Sequence, residues 1–153
     1  MSNLETKLKK MGINLPNAPA PAANYLPFVK VGRIVYVSGQ ISVGSDGLII
    51  GLLGDSMTIE EGKIAAKQCA INLLTQVKAA CDGDLDFLDR VIRLGGFVNS
   101  THDFSDQPSV INGASDFFVE VLGENGRHAR TAVGATLPLG VAVEIDGIFQ
   151  LKQ

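Results

Sequence analysis

Cysteine and histidine are both scarce. Cys69 and Cys81 are the two cysteines in 153 residues, and they form neither a CxxC pair nor a Cys/His array at metal spacing. This pattern excludes a zinc centre or a disulfide framework, and both thiols are expected to be reduced, with Cys69 buried. The two histidines, His102 and His128, have no second ligand at metal-binding spacing, so no metal is expected. No apolar run approaches the roughly 18 residues of a membrane span, and the opening MSNLETKLKKMG lacks the apolar core of a secretion signal. The expectation is a cytoplasmic protein with no membrane partner. With 13 basic against 16 acidic residues, a net charge of -3 and 6% aromatics, the chain offers neither a cationic track nor stacking surfaces, so no nucleic-acid partner is expected. GxSxG, P-loop, GxGxxG and HExxH motifs are all missing, and any chemistry must come from single residues.

What remains is a chain with 46% hydrophobic residues, long enough to bury one core, and it reads as a single domain over 1–153. Residues 1–27 form an N-terminal extension. Leu4, Leu8 and Met11 share a helical face in a short helix that Gly12 ends, and Pro16, Pro19, Pro21 and Pro27 favour an extended segment lying over the domain. Phe28–Val31 and Ile34–Val37 flank Gly32-Arg33, a pair suited to a two-residue II′ hairpin, and a third strand is expected through Leu48–Ile50. Thr58 and Glu61 have capping-box spacing ahead of a long helix ending near Cys81, with Ile64, Ile71 and Leu74 expected at least partly buried.

A strand follows over 91–100, with Ile92, Leu94 and Val98 on one side and Gly95-Gly96 marking a bulge or a close backbone approach. Pro108 opens a second helix through Phe117 and Val121. Strands over 131–136 and 141–151 close the domain, the last with Val143 alternating inward. The fold class is α+β: a mixed sheet with two main helices on one face. The uncovered face requires burial, which a symmetric partner commonly supplies.

Among the charged residues Arg130 is the best candidate, because it stands where a glycine-rich loop enters a strand and small residues follow, so that its fork could grip a carboxylate. The alternative is pairing with a surface acid. Glu144, on the polar face of the last strand, could position or deprotonate water, and the Leu137–Gly140 turn is expected to fold it back toward the strand of Arg130. Tyr25 could lend a hydroxyl to a site, with packing as the alternative.

Taken in order, PAPAANYLP, YVSGQ, EEGKIAAKQCAINLL, VINGASDFF and HARTAVGATLPLGVAVEI resemble the Rid (YjgF-like) family, also labelled endoribonuclease L-PSP, over about Leu15 to Phe149. The form is closer to a branch with a longer N-terminus than to the best-studied deaminases. The resemblance implies a chorismate-mutase-like fold and a homotrimer whose sheets face inward, with clefts between subunits. It implies hydrolysis, without metal or organic cofactor, of enamine and imine acids such as 2-aminoacrylate to 2-keto acid and ammonia, with a functional link to the pyridoxal-phosphate enzymes that release them. Arg130 then matches the carboxylate clamp and Glu144 the glutamate near the attacking water. Tyr25, Gly39 and Asn112 match substrate-cleft positions. This chain has Ala132 where deaminase members commonly have cysteine, and the stretch from Arg130 to Leu137-Pro138 is one residue shorter. A backbone carbonyl is the contact invoked at the cysteine position, so alanine there need not abolish activity. The alternative is a non-catalytic or regulatory trimer that binds a small carboxylate metabolite. An endoribonuclease, as in the family label, ranks last on charge and aromatic content.

Overall fold

The computed structural model describes residues 1–21 and 23–153. Helix α1 (Asn3–Lys10) opens the chain with a capping box: the Ser2 hydroxyl accepts from the Glu5 amide and the Glu5 carboxylate accepts from the Ser2 amide. Asp86 accepts from the backbone amides of Asn3 and Leu4, fastening this helix to the body. Beyond Gly12 (φ 77°), the described part of the proline-rich segment has no regular secondary structure and lies over the second helix, lining a cleft with Gln68 and Asn72. Ala22, inside the PAPAANYLP motif, falls outside the described residues.

Strands β1 (Phe28–Val31) and β2 (Ile34–Ile41) pair antiparallel with Val31 opposite Ile34. Positive φ at Gly32 but not at Arg33 is the signature of the expected II′ turn. The expected third strand does not join the main sheet. It is a short ribbon, β3 (Val43–Gly44) with β4 (Gly47–Leu48), and Ile50 bridges singly to Val141. The Asn72 amide donates to the carbonyls of Ile41 and Val43, occupying acceptors that a continuing ladder would need.

Helix α2 (Ile59–Ala80) starts at the Thr58/Glu61 capping box and stops before Asp82 and Gly83, both at positive φ. Leu74 is buried as expected and Ile71 partly so, but Ile64 is 65% exposed. The buried face is instead set by small residues, Gly62, Ala65, Ala66 and Ala70, because these allow close approach of neighbouring elements. Apolar size alone did not indicate the inward side.

Strand β5 (Leu88–Val98) has two register irregularities against its neighbour, between Leu88 and Arg90 and between Val91 and Arg93. These bulges turn Val91 inward in place of Ile92, while Leu94 and Val98 are buried as expected. Gly95-Gly96 is not the bulge but the close approach: a Cβ at Gly96 would lie 2.7 Å from Ile111. Helix α3 (Gln107–Leu122), with Pro108 in its first turn, supplies that isoleucine and buries Phe117 and Phe118.

Strand β6 (Ala129–Gly134) begins and ends earlier than expected, and β7 (Val143–Leu151) completes the sheet with Val143, Ile145, Phe149 and Leu151 inward. The order is β1-β2-β7-β5-β6, with β5 and β6 parallel and the other pairs antiparallel. β5 thus separates β6 from β7, so the Leu137–Gly140 turn does not make the last two strands neighbours. Helices α2 and α3 pack on one face of this mixed sheet. On the other, Val29, Val31, Tyr36 and Val133 are exposed. No helix among the described residues is long and apolar enough to cross a membrane.

The two helices meet where a Cβ on Gly113 would overlap the Lys63 backbone. Gly113→Ala gains about 1 kcal/mol of helix propensity, but overpacking costs about 1–3 kcal/mol. A clash with backbone cannot be relieved by a rotamer change, so the cost prevails. The variant is expected to be less stable by up to about 2 kcal/mol in urea unfolding; a midpoint at or above wild type would show that the helices separate freely.

Candidate functional site

Strand alternation places His128 and Arg130 on the same side of the chain entering β6, and one helical turn places Asn112 and Ser115 together on α3. The four side chains meet. Arg130 Nη1 donates to Asn112 Oδ1 at 2.8 Å and to Ser115 Oγ at 3.0 Å, and Nη2 makes a long 3.4 Å contact with the Pro108 carbonyl. No ion pair among the described residues involves Arg130, so pairing with a surface acid is not what occupies it. With Nη1 spent, the Nε–H and Nη2 edge remains, the side on which a guanidinium binds a carboxylate through two parallel bonds.

His128 anchors the cluster from behind. Its Nδ1 lies 2.7 Å from the Gly126 carbonyl, and its Nε2 lies 2.9 Å from Ser115 Oγ. Burial holds the imidazole pKa below its ordinary value and the nearby Arg130 charge adds to this, against an opposing contribution from the Gly126 bond. The neutral ring is therefore favoured. These residues line an open cleft of about 640 Å³ together with Asp116, Val119, Glu120 and Arg127.

A second cluster forms on the opposite face. Glu144 stands on β7 with its carboxylate against the Gly39 Cα of β2, and a Cβ on Gly39 would collide with Glu144 Oε1. Glycine is thus required here for space and not for a turn. Tyr25, 52% exposed, lies next to this strand because Ser38 Oγ donates to the Leu26 carbonyl and the Ser38 amide to that of Pro27. Burial pushes the Glu144 carboxyl above its ordinary pKa, and the Asp146 charge pushes it further.

Within one chain the clusters stay apart. Arg130 is in register with Leu94, and Leu94 with Gly147, three residues along β7 from Glu144. Arg130 follows the helix-covered face, as Leu94 does, whereas Glu144 is on the open one. The structure therefore joins Arg130 with Asn112, and Gly39 with Glu144 beside the Tyr25 segment, but does not join the two sets. Ser115 and His128 were not singled out from sequence as site residues. The available signal was the H-x-R alternation together with the three-residue spacing of Asn112 and Ser115.

Neither cysteine is poised for chemistry. Cys69 is fully buried with its thiol on the Val143 carbonyl, and burial pushes it well above the ordinary range; Cys81 is pushed to about 11, also by burial.

A family model described as "YjgF/chorismate_mutase-like, putative endoribonuclease" matches residues 5–144. The chain belongs to the YjgF family. Among relatives of this YjgF-family protein, Protein TCP17 of Trypanosoma cruzi is 48% identical over 95% of this chain and 92% of its own length. The crystal structure of Atu1372 from Agrobacterium tumefaciens, described as of unknown function, has 47% identity and a TM-score of 0.90, covering 97% of this chain and 92% of that one. A 2-iminobutanoate/2-iminopropanoate deaminase of Dermatophagoides farinae is 29% identical over 92% of this chain and 95% of its own length.

The raised Glu144 pKa makes a stability prediction. A carboxyl whose folded pKa exceeds its unfolded value destabilises the fold when ionised, and the penalty fades as pH falls through the folded value to below 4.5. Glu144→Gln is thus expected to be at least as stable as wild type at pH 7, with the difference closing by pH 4. Chemical unfolding at the two pH values tests this; a Gln variant less stable at pH 7 than at pH 4, relative to wild type, would contradict the assignment.

Proposed function

We propose that this protein is a cofactor-independent hydrolase of small enamine and imine acids that works as a homotrimer, with each cleft assembled between two subunits. The observation that carries the reading is Arg130, whose Nη1 is held by Asn112 and Ser115 while its Nε/Nη2 edge has no acidic partner. The separation of the Arg130 and Glu144 clusters supports an intersubunit site, and the exposed apolar residues of the open sheet face support the association. The relative named as an imine deaminase supports the substrate class.

In the proposed reaction the enamine acid first tautomerises to the imine. Arg130 holds the carboxylate and Asn112 keeps the guanidinium in place. Glu144, supplied by the neighbouring subunit, accepts a proton from water as its oxygen adds to the imine carbon. Glu144 returns that proton to the nitrogen to give the carbinolamine, whose hydroxyl proton passes to the amine as the C–N bond breaks, so that ammonia departs and the 2-keto acid remains. A carboxyl with no hydrogen-bond partner among the described residues and a raised pKa is suited to such exchange. Because the substrate is unstable in water, orientation accounts for most of what the site must supply. In the cell such a protein would act downstream of pyridoxal-phosphate enzymes that release these intermediates.

The test is ammonia and keto-acid release when a pyridoxal-phosphate enzyme generates 2-aminoacrylate in situ, alongside calorimetry with pyruvate. Arg130→Ala is expected to abolish both turnover and binding, a loss on the order of 2–5 kcal/mol, and Arg130→Lys to restore only part, since an ammonium lacks the planar fork. Glu144→Gln is expected to lower kcat more than it raises KM. Pyruvate binding without turnover would leave a binding trimer in place of an enzyme.

The intersubunit site makes its own prediction. As pure oligomers Arg130→Ala is expected to be inactive and Glu144→Gln to retain only a small residual kcat. After the two are mixed and allowed to exchange subunits, about one quarter of clefts regain both residues, and activity returns to about that fraction of wild type. No recovery despite proven exchange, or a monomer mass by light scattering, would refute the shared cleft.

A further inference from the structure

Arg130 is only as useful as its orientation, and an arginine has four rotatable side-chain bonds to restrain. The restraint can be followed atom by atom to the core. Gly126 presents a carbonyl, which only accepts, so the His128 Nδ1 2.7 Å away must carry the ring proton. In the neutral ring Nε2 is then an acceptor, and the Ser115 hydroxyl 2.9 Å away must donate to it. With its hydrogen committed, Ser115 Oγ can only accept from Arg130 Nη1 at 3.0 Å. Each donor in this chain has one acceptor, and the direction is fixed from the main-chain end. The imidazole plane is itself held, edge-on to Phe118 at 6.4 Å between centroids, and Phe118 packs against Phe117 and Phe149 in the core.

We propose that Ser115 and His128 are positioning residues for Arg130: His128 sets the direction of the Ser115 hydroxyl, and Ser115 with Asn112 immobilises Nη1 so that the Nε/Nη2 edge is presented to a carboxylate. The inference rests on the reading of Arg130 as a carboxylate clamp and adds residues to it. This role requires no contact between either side chain and the substrate. They act in series, because Ser115 bonds to Arg130 whether or not His128 is present, but the hydrogen-bond path from His128 to Arg130 runs through Ser115.

Series action has a signature that a merely structural role lacks. The ligand probe is pyruvate, measured by calorimetry, with KM and kcat followed on the in situ enamine. Ser115→Ala and His128→Phe are each expected to weaken pyruvate binding and raise KM by about tenfold, the scale of one hydrogen bond to a charged group, with kcat changed less than about twofold. The double variant is expected to lose about tenfold, not a hundredfold. Ser115→Thr, which keeps a hydroxyl, and His128→Gln, which keeps an acceptor, are expected to recover most of the loss, and they carry the test should the harsher variants fail to fold.

Arg130→Ala separates the two levels. If it binds pyruvate as wild type does, the clamp reading itself falls. If it loses binding while Ser115→Ala and His128→Phe retain it, the clamp stands and the positioning proposal is overturned. Losses that multiply in the double variant overturn it as well, since the two residues would then act independently.

Discussion

The closeness of α3 to both α2 and β5 is the constraint on which the rest depends. Gly113 lets α3 lie directly on the Lys63 backbone, and Gly96 lets Ile111 sink into β5. These contacts flank Asn112 in sequence, so the same two glycines that set helix-to-helix and helix-to-sheet spacing also set how far the Asn112 side chain stands from β6. Ser115 lies one turn further along. A helix displaced outward by the width of a methyl group would carry both side chains beyond hydrogen-bonding reach of Arg130, whose bonds to them are 2.8 and 3.0 Å. The packing of the core and the geometry of the guanidinium are in that sense one problem.

The sheet divides the candidate chemistry between its faces. Arg130 and its partners belong to the helix-covered side at the β6 edge, and Glu144 with Gly39 to the open side at β2 and β7. This arrangement concentrates different costs in different places. Partial burial of the Glu144 carboxyl beside Asp146 raises its pKa, whereas the Arg130 site neutralises nothing and satisfies Nη1 with neutral oxygens. A cation given neutral partners keeps its charge available to an anionic ligand, and a carboxyl with a raised pKa can exchange a proton nearer neutrality. The two halves are electrostatically complementary, and the sheet keeps them from cancelling each other within one chain.

Much of this fold was legible in the sequence because it depends on local rules. The Thr58/Glu61 capping box, the Gly32-Arg33 turn and Pro108 each act within a few residues, and each marks its element in the structure. Features that depend on tertiary context were not legible. The bulges of β5 shift the alternation between Val91 and Ile92 without any glycine to announce them. Ile64 is exposed because alanines, and not the largest apolar side chain, define the contact face of α2. The insertion of β5 between β6 and β7 moved Glu144 away from Arg130, since a parallel pairing with a distant strand leaves no short-range trace. Residue-level reading singled out Arg130 and Glu144 as candidates, the family resemblance added Gly39 and Asn112, and the structure alone connected Ser115 and His128 to Arg130.

The departure at Ala132 can be weighed on the same geometry. Among the described residues β6 pairs with β5 alone, so one of its edges is free. The Ala135 amide donates to the Val98 carbonyl across that pairing, and peptide groups alternate in direction along a strand, so Ala129, Thr131 and Val133 point their main-chain groups toward β5. Arg130, Ala132 and Gly134 then turn theirs to the free edge. The carbonyl of Ala132 is therefore presented on the side where a neighbouring subunit or a ligand can reach it, two residues from the guanidinium. Its methyl group packs against the core, as a thiol at the same position would. Alanine or cysteine here would change what the core touches and leave the outward carbonyl in place, so the direction of that carbonyl does not depend on the side chain.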